Sequence, residues 1–332
     1  MAKYDVYGLG NALVDYEFSV KDEDLNRLEV DKGLMTLVDE ERQHQILEGL
    51  HKETPNRACG GSAANTMIAI SQLGGNSFYS CKVASDETGD FYYKDLKANG
   101  VSTSLDEVAR KDGVTGKCFV LVTPDAERSM NTFLGITESF SEEEIIPEAI
   151  KESKYIYMEG YLVTSPTGRA AAVKARKIAQ EFGVKTALTF SDPNMVQFFK
   201  DGLKEMIGEK VDLLFCNESE ALTYAETEDL SVAVEAIKKV ANSFVITLGA
   251  KGALVFDGNQ ELVVEGFEAK AVDTNGAGDI FAGSFLYGLT NGHSFADSAK
   301  LANYAASLLV TKYGPRLDGS YLQQLQDFAK TL

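Results

Sequence analysis

Short apolar runs alternate with longer amphipathic segments along most of this 332-residue chain, and this alternation constrains the fold more than any other feature. The apolar runs predict strands at 4–9, 77–83, 155–158, 185–190, 213–216 and 244–248. Segments with helical periodicity lie at 63–73, 170–182, 232–240, 277–289 and 295–310. The pattern predicts an α/β protein with a mostly parallel central sheet and helices on both faces. Ligands of such sheets bind at the carboxyl ends of the strands.

Two stretches, 16–37 and 116–135, do not fit the alternation. The second has the pattern of a β-hairpin. We expect the two stretches to pair into a small β-sheet lid over the site. The remaining segments, 1–15, 38–115 and 136–332, would then form one large nucleotide- and substrate-binding domain.

The strongest local signal is Asp273-Thr274-Asn275-Gly276-Ala277-Gly278-Asp279, directly before an apolar helix. Gly276, Ala277 and Gly278 leave the backbone nearly bare, so that consecutive N–H groups at the helix N-terminus can converge on an anion. Asp279 would stand beside that anion and could accept a proton from an attacking hydroxyl. A tight turn followed by a favourable first-turn acid is the plainer alternative. A P-loop and a dinucleotide fingerprint are both excluded, because neither glycine pattern occurs.

A second glycine pair, Gly60-Gly61, precedes the helix that carries Asn65. Bare backbone there would let a ligand approach closely, and the Asn65 amide can bind hydroxyls. The alternative is a simple helix start with Ser62 as the N-cap. Asp15 follows the first strand and could hold two vicinal hydroxyls, although a solvated loop carboxylate is the commoner outcome for a single such residue.

Later strand ends carry further candidates. Asn217 and Glu220 could organise the water shell of Mg²⁺, or could form a charged helix start. Thr247 and the two glycines that follow it, Gly249 and Gly252, suit backbone contact with a nucleotide or a plain turn. Arg128, in the predicted lid, could neutralise a transferring phosphate or could be an ordinary surface arginine.

The net charge of −18 argues against nucleic acid and anionic membranes as partners, and therefore favours small ligands. An acidic protein would have to hold a polyphosphate with backbone amides, a few placed cations and a divalent metal. The three histidines and four cysteines form no cluster that would indicate a metal or redox site. No signal peptide or membrane span is visible, so a cytoplasmic location is expected.

Together these segments resemble the ribokinase-like, or PfkB, family of carbohydrate and nucleoside kinases, from about Asp5 to about Pro315. Asp273 to Asp279 is similar to the family's D-T-x-G-A-G-D signature, and Gly60-Gly61 with Asn65 to its G-G-x-x-x-N signature. The resemblance implies a ribokinase-like three-layer α/β/α fold with a small β-sheet lid. It also implies that Asp279 is the catalytic base and that Gly276, Ala277 and Gly278 form the anion hole.

Carried over to matching positions, the resemblance implies roles for the other candidates. The acceptor would be bound by Asn11, Asp15, Gly60, Gly61, Asn65 and Arg128. ATP would lie along Asn217, Thr247, Gly249, Gly252 and Asn303. Glu220 would hold Mg²⁺ through water, and Asp273 would bind a monovalent cation, commonly K⁺.

Within the family, residues 10–15 and 21–37 look most like the adenosine kinase branch, whereas 190–194 resembles fructokinase-type members. The expected activity is ATP-dependent phosphorylation of a small ribose-containing or sugar acceptor, with the 5′-OH of adenosine preferred. A kinase for ribose, fructose or 2-keto-3-deoxygluconate is the alternative, followed by a noncatalytic nucleoside sensor. Monomer and homodimer both remain open.

Overall fold

A nine-stranded sheet and a five-stranded sheet organise the computed structural model, which describes residues 2–33, 35–50, 55–125 and 127–332. Within those residues the strands are β1 (Tyr4–Leu9), β2 (Leu13–Ser19), β3 (Met35–Leu37), β4 (Asn56–Gly60), β5 (Ser77–Ser80), β6 (Ser102–Thr103), β7 (Thr115–Val122), β8 (Arg128–Gly135), β9 (Ser153–Glu159), β10 (Lys185–Thr189), β11 (Val211–Asn217), β12 (Ala241–Thr247), β13 (Ala253–Phe256) and β14 (Glu261–Val264). The α-helices are α1 (Asp22–Arg27), α2 (Glu40–Gly49), α3 (Ser62–Gln72), α4 (Glu87–Ala98), α5 (Pro147–Lys151), α6 (Pro166–Glu181), α7 (Pro193–Ile207), α8 (Glu218–Ala225), α9 (Leu230–Ile237), α10 (Ala277–Thr290), α11 (Phe295–Leu309) and α12 (Gly319–Ala329).

The large sheet has the strand order β14-β13-β12-β11-β10-β9-β1-β5-β6. All neighbours from β6 to β12 are parallel, and only the pairs β12–β13 and β13–β14 at one edge are antiparallel. The expected mostly parallel central sheet is therefore confirmed.

Helices cover both faces of this sheet because its buried strands present apolar side chains alternately to each side. On β1, Tyr7 packs into the core that includes helices α5 to α9, whereas Val6 packs into the core that includes α3, α4, α10 and α11. In α6, four fully buried alanines allow that helix to approach the sheet closely: Ala171, Ala172, Ala175 and Ala179. The arrangement confirms the three-layer α/β/α architecture. No helix among the described residues is long and apolar enough to cross a bilayer.

The five-stranded sheet has the order β3-β8-β7-β2-β4. It contains the predicted hairpin, β7 and β8, but it also contains β4, which the sequence analysis assigned to the large domain. Strand β4 pairs with the otherwise open edge of β2, and an unpaired edge would be costly. Helix α2 also belongs with this sheet, because Ile46 shares a core cluster with Phe18 and Leu121. The small layer is thus broader than 16–37 and 116–135.

Five neighbouring parallel strands of the large sheet have their carboxyl ends at the same edge: β12, β11, β10, β9 and β1. The small sheet shares a cavity with this edge. The fold therefore places strand-end residues opposite the inner face of the small sheet.

Candidate active site

A cavity of about 460 Å³ lies between the small sheet and the strand ends of the large sheet. Its floor carries polar side chains from strand ends of the large sheet and from helix starts: Asn11, Ser62, Asn65, Glu159, Thr189, Ser191, Asp192, Asn217, Glu220, Thr247, Asn275 and Asp279. Tyr157, Tyr161, Met195, Phe215 and Phe281 line the cavity between them. Its other side is formed largely by apolar side chains of the small sheet: Leu13, Met35, Leu37, Val120, Met130 and Leu134. Cys118, Thr132 and the carboxylate of Asp15 also line this side; Asp15 lies within β2 and not in a loop after the first strand, as the sequence suggested. The cavity can therefore take a molecule with one hydroxyl-rich end and one apolar end.

Asp279 lies in the first turn of α10 and lines the cavity. The helix is preceded by Gly276 in the left-handed conformation, with φ of 76°, which an L side chain rarely adopts. A Cβ at that position would also lie 2.7 Å from the Cα of Pro315, so glycine is required there. Gly276 and Gly278 both line the cavity, so the nearly bare N-terminus of the helix faces it beside the carboxylate.

Two side chains of α3 hold this carboxylate. Ser62 donates its hydroxyl to Oδ1 of Asp279 at 2.7 Å, and Asn65 donates its amide to Oδ2 at 3.0 Å. Ser62 is available because the N-cap of α3 is Gly61 rather than Ser62, contrary to the plainer alternative weighed from the sequence. The N-terminal glycine pair and the C-terminal signature therefore form one site, although they are more than 200 residues apart.

Burial raises the pKa of Asp279 to about 6, while the hydrogen bonds from Ser62 and Asn65 and the charge of Arg316 oppose this rise. The carboxylate is therefore mostly ionised at neutral pH, yet it binds a proton more strongly than an ordinary aspartate. Both properties suit a general base.

At both Gly60 and Gly61, a larger residue is excluded because its side chain would collide with neighbouring atoms. A side chain at Gly61, where φ is +98°, would collide with the carbonyl oxygen of Asn11, and one at Gly60 would collide with the Asp15 carboxylate. Among the described residues the Asp15 carboxylate has no hydrogen-bond partner, and it lines the cavity. Burial raises its pKa to about 7, against the opposing charges of Arg316 and Arg128. This carboxylate is free to accept hydrogen bonds from a ligand.

Glu159, at the end of β9, is a fully buried carboxylate on the cavity floor. Its Oε1 accepts the backbone N–H of Asn11 at 2.6 Å, and its Oε2 accepts that of Ala63 at 2.9 Å. The side chain thus connects the end of β1 to the first turn of α3. Burial raises the pKa of Glu159 to about 7.

Asn217 and Glu220 form a reciprocal capping box at the start of α8, and both line the cavity. The Asn217 side chain accepts from the backbone of Glu220 at 2.8 Å, and Glu220 accepts the Asn217 N–H at 3.0 Å. The described parts of the chain contain no group of three His, Cys, Asp or Glu side chains that could enclose a metal. The carboxylate and amide oxygens of Glu220 and Asn217 are ligand types that Mg²⁺ accepts.

Several predicted residues lie outside the cavity lining: Gly60, Arg128, Gly249, Gly252, Asp273, Ala277 and Asn303. Asn303 uses its amide internally, donating to the carbonyls of Val264 and Glu265 at 3.0 Å each. A side chain at Gly252 would collide with the carbonyl of Val264, so this glycine has a packing reason. Space around Gly249 is open, as contact with a ligand would require.

Arg128 is not an exposed surface arginine, since only 12% of its side chain is accessible. It contacts Oδ2 of Asp273 at 2.6 Å and a carboxylate oxygen of Glu17 at 3.2 Å. Asp273 also accepts the backbone N–H groups of Asn275 at 3.0 Å and Gly314 at 2.9 Å. This ion pair joins the small sheet to the loop that leads into α10.

Comparison with known proteins identifies the family. The model of the pfkB family of carbohydrate kinases matches residues 30–320. The chain belongs to this family. It is thus a PfkB-type carbohydrate or nucleoside kinase, a phosphotransferase that acts on an alcohol group.

Relatives of this PfkB kinase differ in their acceptors. The adenosine kinase from Sinorhizobium meliloti is 34% identical, with a TM-score of 0.89 over 98% of this chain and 99% of that structure. A probable sugar kinase from Rhizobium etli is 33% identical, with a TM-score of 0.90 over 98% and 99% of the two chains. The ribokinase of Haemophilus influenzae is 30% identical over 82% of this chain and 87% of its own length. Family membership therefore does not select the acceptor.

Three side chains that contact the site of this PfkB kinase escaped the sequence analysis as candidates: Ser62, Glu159 and Arg316. Glu159 had a usable signal, because it directly follows a predicted strand, 155–158. Ser62 was assigned to helix capping. Arg316 had no local signal at all, since it follows the last long helix of the sheet layers and reaches the site only through tertiary packing.

Proposed function

We propose that the protein is an adenosine kinase, which transfers the γ-phosphoryl group of ATP to the 5′-OH of adenosine and releases AMP and ADP. The observation that carries this proposal is the division of the cavity into a polar floor and an apolar side. Adenosine has the matching division, with hydroxyls on its ribose and a flat aromatic base whose faces can pack against apolar side chains. Simple sugars carry hydroxyls around the whole ring and would leave the apolar side without a partner.

The ribose would lie on the floor. The unpartnered carboxylate of Asp15, on β2 of the small sheet, would accept hydrogen bonds from vicinal hydroxyls, and the amide of Asn65 on the floor would bind beside it. Adenine would then contact the inner face of the small sheet, where Met130 and Leu134 line the cavity. The soft methionine side chain adapts readily to an aromatic surface.

The transfer step needs a base and a site for the phosphoryl charge. The 5′-OH would lose its proton to Asp279 while its oxygen bonds to the γ-phosphorus, and the bond from that phosphorus to the β,γ-bridging oxygen would break to release ADP. The amides at the start of α10, around Gly276 and Gly278, would bind the phosphoryl oxygens. Mg²⁺, held through water by Glu220 and Asn217, would neutralise further charge on the phosphates.

The proposed roles of Arg128 and Asp273 would require their ion pair to open. Their contact at 2.6 Å gives Asp273 an internal counter-ion. Release of Arg128 toward the phosphates would leave the Asp273 carboxylate for a monovalent cation such as K⁺. The proposal therefore couples K⁺ binding to opening of this ion pair.

A sugar kinase is the second candidate, and it is favoured by Ser191 and Asp192, which line the cavity within the fructokinase-like segment. Ser191 has a positive φ of 70°, an unusual conformation for a residue other than glycine. An acidic acceptor such as 2-keto-3-deoxygluconate fits less well, because no lysine or arginine is found among the described residues that line the cavity.

ADP release with adenosine, ribose, fructose and 2-keto-3-deoxygluconate tests the proposal. We expect kcat/KM for adenosine to exceed that for each sugar by at least about 100-fold, a difference of about 3 kcal/mol. A higher kcat/KM for a sugar than for adenosine would contradict the proposal and support the second candidate, a sugar kinase. Binding of ATP and adenosine with no ADP formed would favour a noncatalytic sensor.

A further inference from the structure

We propose that Arg316 is a positioning residue for phosphoryl transfer, which orients Asn65 and through it holds Asp279 as the ionised base. The inference rests on the proposed role of Asp279 in the kinase reaction. Arg316 is not among the described residues that line the cavity, so its effect would be exerted through its neighbours.

A chain of charge-assisted contacts links α4 to the base. Arg316 Nη1 lies 2.6 Å from the Asp95 carboxylate, Arg316 Nε donates to Asn65 Oδ1 at 3.1 Å, and Asn65 Nδ2 donates to Asp279 Oδ2 at 3.0 Å. Arg316 Nη2 also donates to the backbone carbonyl of Cys59. The guanidinium thus contacts three separate elements, α4, β4 and α3.

The order of donors and acceptors explains why an arginine is needed. A guanidinium only donates and a carboxylate only accepts, so the amide between them can satisfy both in one orientation alone. If the Asn65 amide rotated by 180°, its NH₂ would face Arg316 and its oxygen would face the Asp279 carboxylate. Arg316 therefore selects the amide orientation that stabilises the ionised base.

The burial of Arg316 and Asn65 strengthens the preference for this orientation of the amide. Only 15% of the Arg316 side chain and 7% of Asn65 are exposed, so solvent does not replace a lost contact. The backbone of Pro315 packs against Gly276, which places the residue before the arginine directly against the start of α10. The segment 314–316 thus supports both the anion-binding loop and the base.

The positive charge of Arg316 also stabilises the ionised form of Asp279. The other titratable groups around Asp279 are the carboxyls of Asp15 and Glu159 and the phenols of Tyr157 and Tyr161, and none of these supplies positive charge. Arg316 is the cation that opposes the rise in the pKa of Asp279 caused by burial. Its removal would therefore favour protonation of the base.

The pH profile of kcat/KM for the accepted substrate tests this inference. We expect Arg316→Met to move the acid limb upward by about one pH unit, so that the loss is roughly fivefold greater at pH 6 than at pH 8.5. Arg316→Lys, which keeps the charge and a donor, should recover most of that shift. Arg110→Met is the matched control, because it removes an arginine whose pair with Asp90 is half exposed, and it should leave the profile unchanged.

Thermal melting and a second pair of variants distinguish a folding defect from loss of the positioning role. If Arg316→Met does not fold, Arg316→Gln and Arg316→Lys are compared, since only the latter keeps the charge. An acid limb that is the same in the Gln variant and in wild type would overturn the inference. Full activity in Asp279→Asn would instead overturn the proposed function, so the two failures are distinguishable.

Discussion

Arg128 of β8 and Asp273 of the loop before α10 form a buried ion pair, with 2.6 Å between Nη2 and Oδ2. The pair is a charged link between the small sheet and the loop that carries Gly276. Only 3% of the Asp273 side chain is exposed, so little water reaches this ion pair.

The first prediction concerns that link. Arg128→Gln should lower the free energy of unfolding by about 3 kcal/mol, because it leaves a buried carboxylate without a counter-ion. In Arg128→Gln/Asp273→Asn, much of this loss should be recovered. The exposed pair between Lys97 and Asp106, 2.9 Å apart, is the control and should give a coupling energy below about 1 kcal/mol in the same denaturant experiment.

The second prediction concerns monovalent cations. Activity should be higher in K⁺ than in tetramethylammonium, and Asp273→Asn should abolish the difference. Equal wild-type rates in the two buffers would contradict a cation site at Asp273.

The third prediction concerns the base. Asp279→Asn should lower kcat by several orders of magnitude while ATP binding and the melting temperature change little. The fold tolerates this substitution because the new amide can present its oxygen to Asn65 and its NH₂ to the Ser62 hydroxyl. Turnover within tenfold of wild type would remove Asp279 from the mechanism.

The fourth prediction concerns Ser62. The Ser62 hydrogen bond lowers the pKa of Asp279, so Ser62→Ala should raise the pH at which the acid limb of kcat/KM is half-maximal from near pH 6. The loss of activity should therefore be larger at pH 6 than at pH 8. A loss that is uniform across pH would show that the hydroxyl does not act on the ionisation of the base.

The fifth prediction concerns stability and pH. Burial raises the pKa of both Glu159 and Glu220 to about 7, above the ordinary 4.5 of an unfolded chain. Between these values the folded protein keeps protons that the unfolded chain releases, so this contribution to stability is full below about pH 4.5 and is lost as the pH rises through 7. The free energy of unfolding should therefore fall between pH 5 and 8.

Denaturant unfolding across that pH range measures the effect. Glu220→Gln should make the fall less steep, whereas Glu209→Gln, at an exposed position, should not change it. A free energy of unfolding that rises steadily from pH 5 to 8 would contradict the assignment of these raised pKa values.

Much of the fold could be predicted because its signals are local. The apolar run of β1 was predicted at the bounds that the structure has, and the strand from 185 to 190 differs from β10 by one residue. Strand β4 was missed because it is short and includes Gly60, and only its pairing with β2 makes it a strand. Side-chain partners were hardest to predict, since Ser62 and Arg316 look like a helix cap and a loop cation in the sequence.

Periodicity and glycine placement, which act through neighbouring residues, were enough to determine the layered α/β fold, the turn before α10 and the position of Asp279 in its first turn. Tertiary structure alone decided which side chains surround that carboxylate and which charges oppose its protonation. The physical reason is that strand and helix preferences arise from contacts a few residues apart, whereas the contacts of Asp279 with Ser62 and Asn65 span more than 200 residues.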